Sequence, residues 1–145
     1  MNILDLCTQP TAIVSPAASV TQAIRVMLNH HVGAVGVTND VRQIVGIFTE
    51  RDVMEKVALS GRNPSSTSIC ELMTSPVRTA TPDVTPTEAL KIMIEGHFRH
   101  LPIVGENGRL LGVLSIRHLL HWRTDDLSHE LDALEQYFAN DSLGG

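Results

Sequence analysis

Hydrophobic and polar positions follow one pattern twice along the chain, at an offset of 66 residues that holds without a gap over residues 3–54. Each copy begins with an apolar lead-in and a short strand. An amphipathic helix, two strands around a tight turn and a second helix follow. Matched identities include Pro16 and Pro82, Met27 and Met93, and Gly46 and Gly112. The pattern indicates an internal duplication of a β-α-β-β-α unit.

Turn and capping residues locate the elements within each copy. Ser19 and Thr85 head capping-box sequences that begin the first helices. Thr49 and Ser115 stand where the second helices begin. Strands are predicted at residues 11–14, 34–38 and 44–48 and, in the second copy, at residues 77–80, 100–104 and 110–114.

The duplication predicts an α/β fold of the α+β kind, in which two β-α-β-β-α repeats form one module with pseudo-two-fold symmetry. Each predicted sheet has an apolar face, and we expect the two faces to be buried against each other. The predicted segments are a first repeat at residues 1–59, a linker at 60–68, a second repeat at 69–122, and a C-terminal amphipathic helix and tail at 123–145.

The C-terminal segment carries an apolar stripe at helical spacing. Its members are Leu127, Leu131, Leu134 and Phe138. The stripe could pack on its own domain or pair with the same helix of a second subunit, and the sequence leaves both interpretations open.

Composition narrows the class of partner. The net charge is −5 and the basic residues are scattered singly, so nucleic acid is not an expected partner. Cys7 and Cys70 do not occupy matched positions, which favours a reducing compartment over a disulfide framework. No apolar run approaches the length of a membrane span and no leader is evident. We therefore expect a soluble cytoplasmic protein with no membrane partner.

The candidate chemistry lies where the third strand of each copy meets the second helix. In the first copy Thr49 is placed to cap the helix, and Asp52 follows three residues later. Exposed N–H groups and the helix dipole favour oxygen-rich, anionic ligands at such an end. In the second copy Ser115 keeps the hydroxyl, but His118 replaces the carboxylate. The sequence indicates one candidate site and one altered copy, although Thr49 and Asp52 could serve only as a capping box.

The chain resembles paired CBS domains, also called a Bateman module. Three features carry the resemblance: the tandem duplication, the Gly-apolar-apolar-Thr-x-x-Asp sequence that ends at Asp52, and Arg-His-Leu-Pro-Ile-Val at residues 99–104. It covers roughly residues 1–122 and extends to small stand-alone bacterial CBS-pair proteins. It implies a regulatory or sensor module that binds an adenosine-containing ligand between the repeats. Such ligands are AMP, ADP, ATP and relatives of S-adenosylmethionine.

The resemblance also implies which residues contact the ligand. Asp52 would accept hydrogen bonds from both ribose hydroxyls, and Thr49 would bond the ribose or a nearby phosphate. Phosphate would contact three basic side chains. Adenine would pack against residues that come from both repeats. The basic residues are Arg99, His100 and Arg117, and the wall residues are Ile47, Thr74 and Val77.

The mirror-related cleft departs from this pattern at both of its ends. His118 stands in place of the ribose-binding carboxylate, and a neutral imidazole has a single acceptor. Gly33 and Ala34 stand where the other cleft has Arg99 and His100. We therefore predict that only the cleft containing Asp52 binds the ligand.

The sequence predicts no catalysis, no cofactor and no metal site. Nucleophile-elbow and Walker sequences are missing. Histidines at i, i+3 spacing lack a carboxylate or cysteine partner, in the pairs His97/His100 and His118/His121. The predicted function is a non-enzymatic regulatory module for adenosine nucleotides, and the alternative is a non-catalytic dimeric scaffold with no functional ligand site. A homodimer and an unidentified protein target are the expected partners.

Overall fold

The computed structural model describes residues 2–8 and 12–122. The first repeat begins with a 3₁₀ turn and holds four strands and two helices. Its elements are Ile3–Leu6 (3₁₀), β1 Cys7–Thr8, β2 Ile13–Val14, α1 Val20–His30, β3 Ala34–Thr38, β4 Ile44–Thr49 and α2 Glu50–Asp52, which continues as a π-helix at Val53–Ala58.

The second repeat follows the same order. Its elements are a 3₁₀ turn Ile69–Glu71, α3 Pro86–Gly96, β5 His100–Val104, a 3₁₀ turn Glu106–Gly108, β6 Leu110–Ser115 and α4, of which residues 116–122 are described. The α+β class and the duplication are therefore confirmed. The predicted apolar stripe at Leu127, Leu131, Leu134 and Phe138 lies outside the described residues.

Helix caps form where the sequence places them. The Ser19 hydroxyl accepts a hydrogen bond from the Gln22 N–H, and Gln22 Oε1 accepts one from the Ser19 N–H. Thr85 accepts from the Glu88 N–H, with Pro86 at the first helical position. Both first helices thus begin at a satisfied N-terminus, which fixes where their apolar faces fall on the sheets.

Two three-stranded sheets form the module, in the orders β2-β3-β4 and β1-β6-β5. β2 runs parallel to β3, whereas the β3–β4 and β5–β6 pairs are antiparallel hairpins. The hairpin strands agree with the predicted ones, each last strand being one residue longer than predicted. In the first repeat the predicted strand at 11–14 is reduced to Ile13–Val14, with Thr11 outside the described residues.

The predicted strand at 77–80 is wrong except at Ala80, which alone bridges to Ile103. The Ala80 N–H donates to Pro102 O at 3.0 Å. In the first repeat, the Gly36 N–H donates to Ala12 O at 3.1 Å and extends the parallel pairing. The matched position in β5 is Pro102, which has no N–H to donate. Parallel pairing therefore shrinks to a single bridge.

Each repeat contributes its lead-in to the sheet of the other repeat. β1 of the first repeat pairs with β6 of the second, with Thr8 opposite Val113. In the reverse direction Thr74 bridges to Ile47, with N–H to O distances of 3.1 and 2.9 Å measured between the heavy atoms. The sequence predicted both lead-ins but not this exchange. The exchange makes one module of the two repeats.

Close approach of the second lead-in requires glycine in β4. A Cβ added at Gly46 would collide with the Met73 side chain, which immediately precedes Thr74. The lead-in therefore crosses β4 at the one place where that strand has no side chain.

The core is divided between the two repeats and the space between their sheets. Phe48 is fully buried in the first core, and Met93 and Leu114 are fully buried in the second. A third cluster joins Ile47 of β4 to Val113 of β6 and includes Ala34 and Leu110. The predicted burial of the two sheets against each other is thereby confirmed.

Candidate functional site

A cavity of about 360 Å³, the first cavity, lies between the two repeats. It gathers seven of the eight ligand-binding residues predicted from the sequence. They are Ile47, Thr49, Asp52, Thr74, Val77, Arg99 and His100. The end of β4, the exchanged lead-in and the start of β5 meet here, so the cavity exists only when both repeats are assembled.

Thr49 and Asp52 form the polar end of the first cavity. The Asp52 N–H donates to Thr49 Oγ1 at 3.2 Å, and the Thr49 N–H donates to Asp52 Oδ2 at 3.0 Å. Thr49 and Asp52 therefore form a capping box, which is the structural role that the sequence left open for them. A carboxylate has about four acceptor positions, so the cap leaves capacity for a ligand. Asp52 is 8% exposed, so a ligand group that reaches it is largely removed from water.

Lys56 holds the other oxygen of the same carboxylate. Its Nζ lies 3.3 Å from Asp52 Oδ1 and donates to Leu72 O at 2.8 Å. The sequence reasoning missed this residue. Its i, i+4 spacing from Asp52 was the available signal, because residues at that spacing meet on one helix face.

Apolar side chains form a wall of the first cavity. Ile47 is buried, and Val77 is half-buried. Pro76 and Phe98 also line the cavity, although the sequence reasoning did not select them. Such a wall suits a flat ring, since apolar contact and polar contact are separated within one cavity.

Arg99 and His100 supply the basic side of the first cavity. Arg99 is exposed, whereas His100 is half-buried at the start of β5. Burial, together with the neighbouring charges of Arg99 and His118, lowers the pKa of His100 to about 4. The imidazole is therefore neutral at pH 7, and the fixed cations that line the cavity are the guanidinium groups of Arg51, Arg78 and Arg99.

Arg117 does not line the first cavity. It lines an adjoining second cavity of about 940 Å³, together with Ser115 and His118. Arg99 and His100 border both cavities. Whether Arg117 contacts a ligand in the first cavity stays a prediction.

The second cavity has a different polar end. Ser115 Oγ accepts from the N–H groups of Arg117 at 3.1 Å and His118 at 3.4 Å. His118 occupies the position matched to Asp52, so the carboxylate that accepts from the Thr49 N–H has no counterpart here. Gly33 and Ala34 line this cavity, as the 66-residue offset predicts.

Glu50 is a further site residue that the sequence reasoning missed. It lines both cavities, and its matched residue in the second repeat is Ile116. A Cβ added at Gly33 would lie 3.1 Å from Glu50 Oε1. The small residue at position 33 therefore leaves room for a carboxylate at the boundary between the cavities.

The described residues provide no group of three histidine, cysteine or acidic side chains that could hold a metal ion. Within the same ranges, no helix has the length and apolar character needed to cross a membrane. Cys7 and Cys70 are free thiols, and burial raises the pKa of Cys7 to about 12, which makes it a poor nucleophile.

Comparison with known proteins decides the family. The profile of the CBS domain matches residues 3–59 and 69–125. The chain belongs to the CBS-domain family. A 17.7 kDa protein of Acidianus ambivalens is 37% identical over 118 residues, covering 81% of this chain and 70% of that protein. Two further curated relatives are longer, and the chain spans 54% of one and 59% of the other.

Solved structures agree with this assignment. The CBS-domain protein ATU1752 from Agrobacterium tumefaciens has a TM-score of 0.73 and 35% identity, over 84% of this chain and 92% of that chain. The CBS domain pair of protein MJ0100, solved with 5′-methylthioadenosine and S-adenosyl-L-methionine, has a TM-score of 0.78. It is 19% identical over 87% of this chain and 98% of that chain, which shows a shared fold. The resemblance to CBS pairs is confirmed, and a CBS pair is a regulatory module.

The buried imidazole of His100 predicts a specific pH dependence of folding. Its pKa is lowered from 6.5 to about 4 in the folded chain, so the unfolded chain binds more protons between these values. The free energy of unfolding should therefore fall as the pH is lowered from about 6.5 towards 4. Urea unfolding of the parent and His100→Gln at pH 8, 6 and 5 measures this loss.

His100→Gln should lose less stability than the parent between pH 8 and pH 5. The comparison at pH 8, where the imidazole is neutral in both states, gives the packing cost of the substitution separately. Equal losses in the two proteins on acidification would contradict a buried neutral imidazole at this position.

Proposed function

We propose that this CBS pair is a non-catalytic regulatory module that binds an adenosine-containing ligand in the first cavity. The observation that carries the proposal is the meeting of a buried carboxylate, an apolar wall and a basic side in one cavity. Asp52 comes from the first repeat, whereas Val77 and Arg99 come from the second. A nucleotide has the matching sequence of groups: a diol, a flat base and phosphate.

The carboxylate of Asp52 suits a ribose. Neighbouring hydroxyls of a cis-diol donate two hydrogen bonds, and an ionised carboxylate accepts two. Hydrogen bonds to a charged acceptor are stronger than those between neutral groups, and burial of Asp52 strengthens them further. Thr49 Oγ1 accepts from the Asp52 N–H and retains its own O–H as a donor for the ribose or a phosphate oxygen.

The opposite sides of the cavity suit the base and the phosphates. Ile47 and Val77 provide aliphatic surface for adenine, and Thr74 adds a hydroxyl beside it. Arg99 presents a planar, forked donor set that matches phosphate oxygens. The neutral His100 adds a single donor. The complex of MJ0100 with two adenosine-containing compounds supports the same ligand class by analogy.

The second candidate function is a dimeric interaction scaffold with no ligand. The observation that favours it is the complete capping box, which gives Thr49 and Asp52 a structural role without any ligand. Thermal-shift measurements with AMP, ADP, ATP and S-adenosylmethionine separate the two functions. A ligand that binds only the folded chain raises its melting temperature, whereas a scaffold shows no shift with any of them.

A reducing cytoplasmic setting and an unidentified protein target complete the proposal. The two free thiols support the reducing cytoplasmic setting, since neither is placed in a disulfide. A regulatory module without chemistry of its own must act by binding another molecule. This supports the unidentified protein target.

The ribose contact predicts that Asp52→Ala weakens binding of AMP or ATP by roughly 1.5–3 kcal/mol, the range for a hydrogen bond to a charged group. Calorimetry of both proteins measures this difference. Ser19→Ala is the matched control, because it removes the other capping box of the first repeat away from the cavity. It should cost about 1 kcal/mol of stability and leave nucleotide affinity unchanged. Equal affinity of the parent and Asp52→Ala would refute the ribose assignment.

The asymmetry of the two cavities predicts one nucleotide per chain. His118 cannot accept both hydroxyls of a ribose, and Gly33 and Ala34 add no positive charge to that of Arg99 and Arg117 in the second cavity. His118→Asp alone should give weak binding at a second site at most. Adding Gly33→Arg and Ala34→His should strengthen it. The stoichiometry from calorimetric titration checks this, and a plateau of two nucleotides on the unmodified chain would overturn the prediction.

Four exposed apolar side chains predict a homodimer. Leu28 and Ile94 are matched by the 66-residue offset and are 68% and 58% exposed. Met54 and Leu120, matched in the same way, are 63% and 49% exposed. Apolar side chains that are exposed at matched positions on all four helices are typical of a surface that a second subunit covers. Light scattering should give twice the chain mass of 15.8 kDa at micromolar concentration.

The double variant Leu28→Glu, Ile94→Glu should shift the mass to that of a monomer. Val41→Glu is the control, since Val41 is also 68% exposed but lies in the turn between β3 and β4. A parent mass near 15.8 kDa would exclude the homodimer.

A further inference from the structure

Lys56 joins the polar end of the first cavity to the lead-in of the second repeat. Its ammonium group lies 3.3 Å from Asp52 Oδ1 and donates to Leu72 O at 2.8 Å. The Lys56 side chain is 37% exposed and that of Asp52 is 11% exposed. The contact is therefore partly shielded from water at the lysine and almost completely at the carboxylate.

Lys56 lies within the π-helix that continues α2. The Val53–Ala58 segment makes i to i+5 hydrogen bonds, among them Leu59 N–H to Met54 O at 2.9 Å. Single-turn π segments interrupt helices frequently at functional sites. The matched residue in the second repeat is Trp122, which cannot form an ion pair. The contact thus has no counterpart at the matched position of the second repeat.

Both oxygens of the Asp52 carboxylate are oriented by separate partners. The Thr49 N–H holds Oδ2 at 3.0 Å, and Lys56 holds Oδ1. Without the second partner, the carboxylate could rotate about its terminal torsion, which has a broad energy minimum. A rotated carboxylate still accepts one hydrogen bond, but it loses the alignment that two adjacent hydroxyls require.

Lys56 also contacts the lead-in of the second repeat, through Leu72 O. Leu72 lies two residues before Thr74, which pairs with Ile47 and lines the first cavity. One ammonium group therefore contacts both the ribose-binding end and the lead-in. Partly exposed ion pairs contribute little to stability, so orientation is the larger consequence of this contact.

We propose that Lys56 is a positioning residue that makes the first cavity select ribose over 2′-deoxyribose, by holding the Asp52 carboxylate for both hydroxyls. The inference rests on the proposed function, because it needs a nucleotide in the first cavity. It adds the discrimination between two sugars, and it assigns that discrimination to a residue that does not line the cavity.

The test is calorimetry with AMP and 2′-deoxy-AMP on the full chain. The parent should prefer AMP by about tenfold to a hundredfold, the equivalent of one hydrogen bond to a charged group. Lys56→Met should reduce the preference to about threefold or less, with AMP affected more than 2′-deoxy-AMP. Lys56→Arg keeps a cation within reach of both acceptors and should retain most of the preference.

Lys91→Met is the matched control. Lys91 is the other lysine of the chain and pairs with Glu95 at 4.0 Å on the surface of α3, so its removal causes the same change in charge. Its preference for AMP should equal that of the parent. Urea unfolding of each variant verifies folding, and Lys56→Gln replaces Lys56→Met if the latter does not fold.

The outcomes separate this inference from the proposed function. A parent that binds neither AMP nor 2′-deoxy-AMP overturns this inference. It overturns the proposed function as well if ADP, ATP and S-adenosylmethionine also cause no thermal shift. A parent that prefers AMP, with Lys56→Met losing affinity for both ligands by the same factor, assigns Lys56 a merely structural role and overturns only this inference. An unchanged preference in Lys56→Met overturns it as well.

Discussion

The structure depends on the exchange of lead-in segments between the two repeats. Thr8 pairs with Val113 of β6, and Thr74 pairs with Ile47 of β4. An unpaired strand edge exposes a row of N–H and C=O groups, and each lead-in covers the edge of the sheet in the opposite repeat. Neither repeat can leave the other without exposing that edge and the apolar cluster behind it.

The same exchange determines where a ligand could bind. Thr74 reaches the first cavity because it is paired to Ile47, and the chain then continues through Val77 along the cavity wall. Asp52 enters from the other repeat at the start of α2. The binding groups thus belong to different repeats, so a ligand that contacts all of them stabilises the assembled module. This arrangement suits a regulatory module, whose response to a ligand has to alter the whole chain.

Much of the fold followed from the sequence, because local signals determine it. Strand alternation, helix caps and the repeat located the hairpins of both copies to within one residue. The strand at 77–80 failed because Pro102, in another strand, has no N–H to donate to it. The exchange itself was not predictable from periodicity, since the residues that pair lie far apart in the chain. In the site, the family resemblance supplied seven cavity residues. The contact of Lys56 with Leu72 and the place of Glu50 between the cavities required coordinates, because they depend on residues far away in the chain.

A crystal structure of the chain grown with AMP tests the central claim most directly. The account predicts density for a nucleotide in the first cavity, with both ribose hydroxyls within hydrogen-bond distance of the Asp52 carboxylate and the phosphate near Arg99. Adenine should lie against Ile47 and Val77. Density for the nucleotide beside His118, with the cavity at Asp52 empty, would contradict the account.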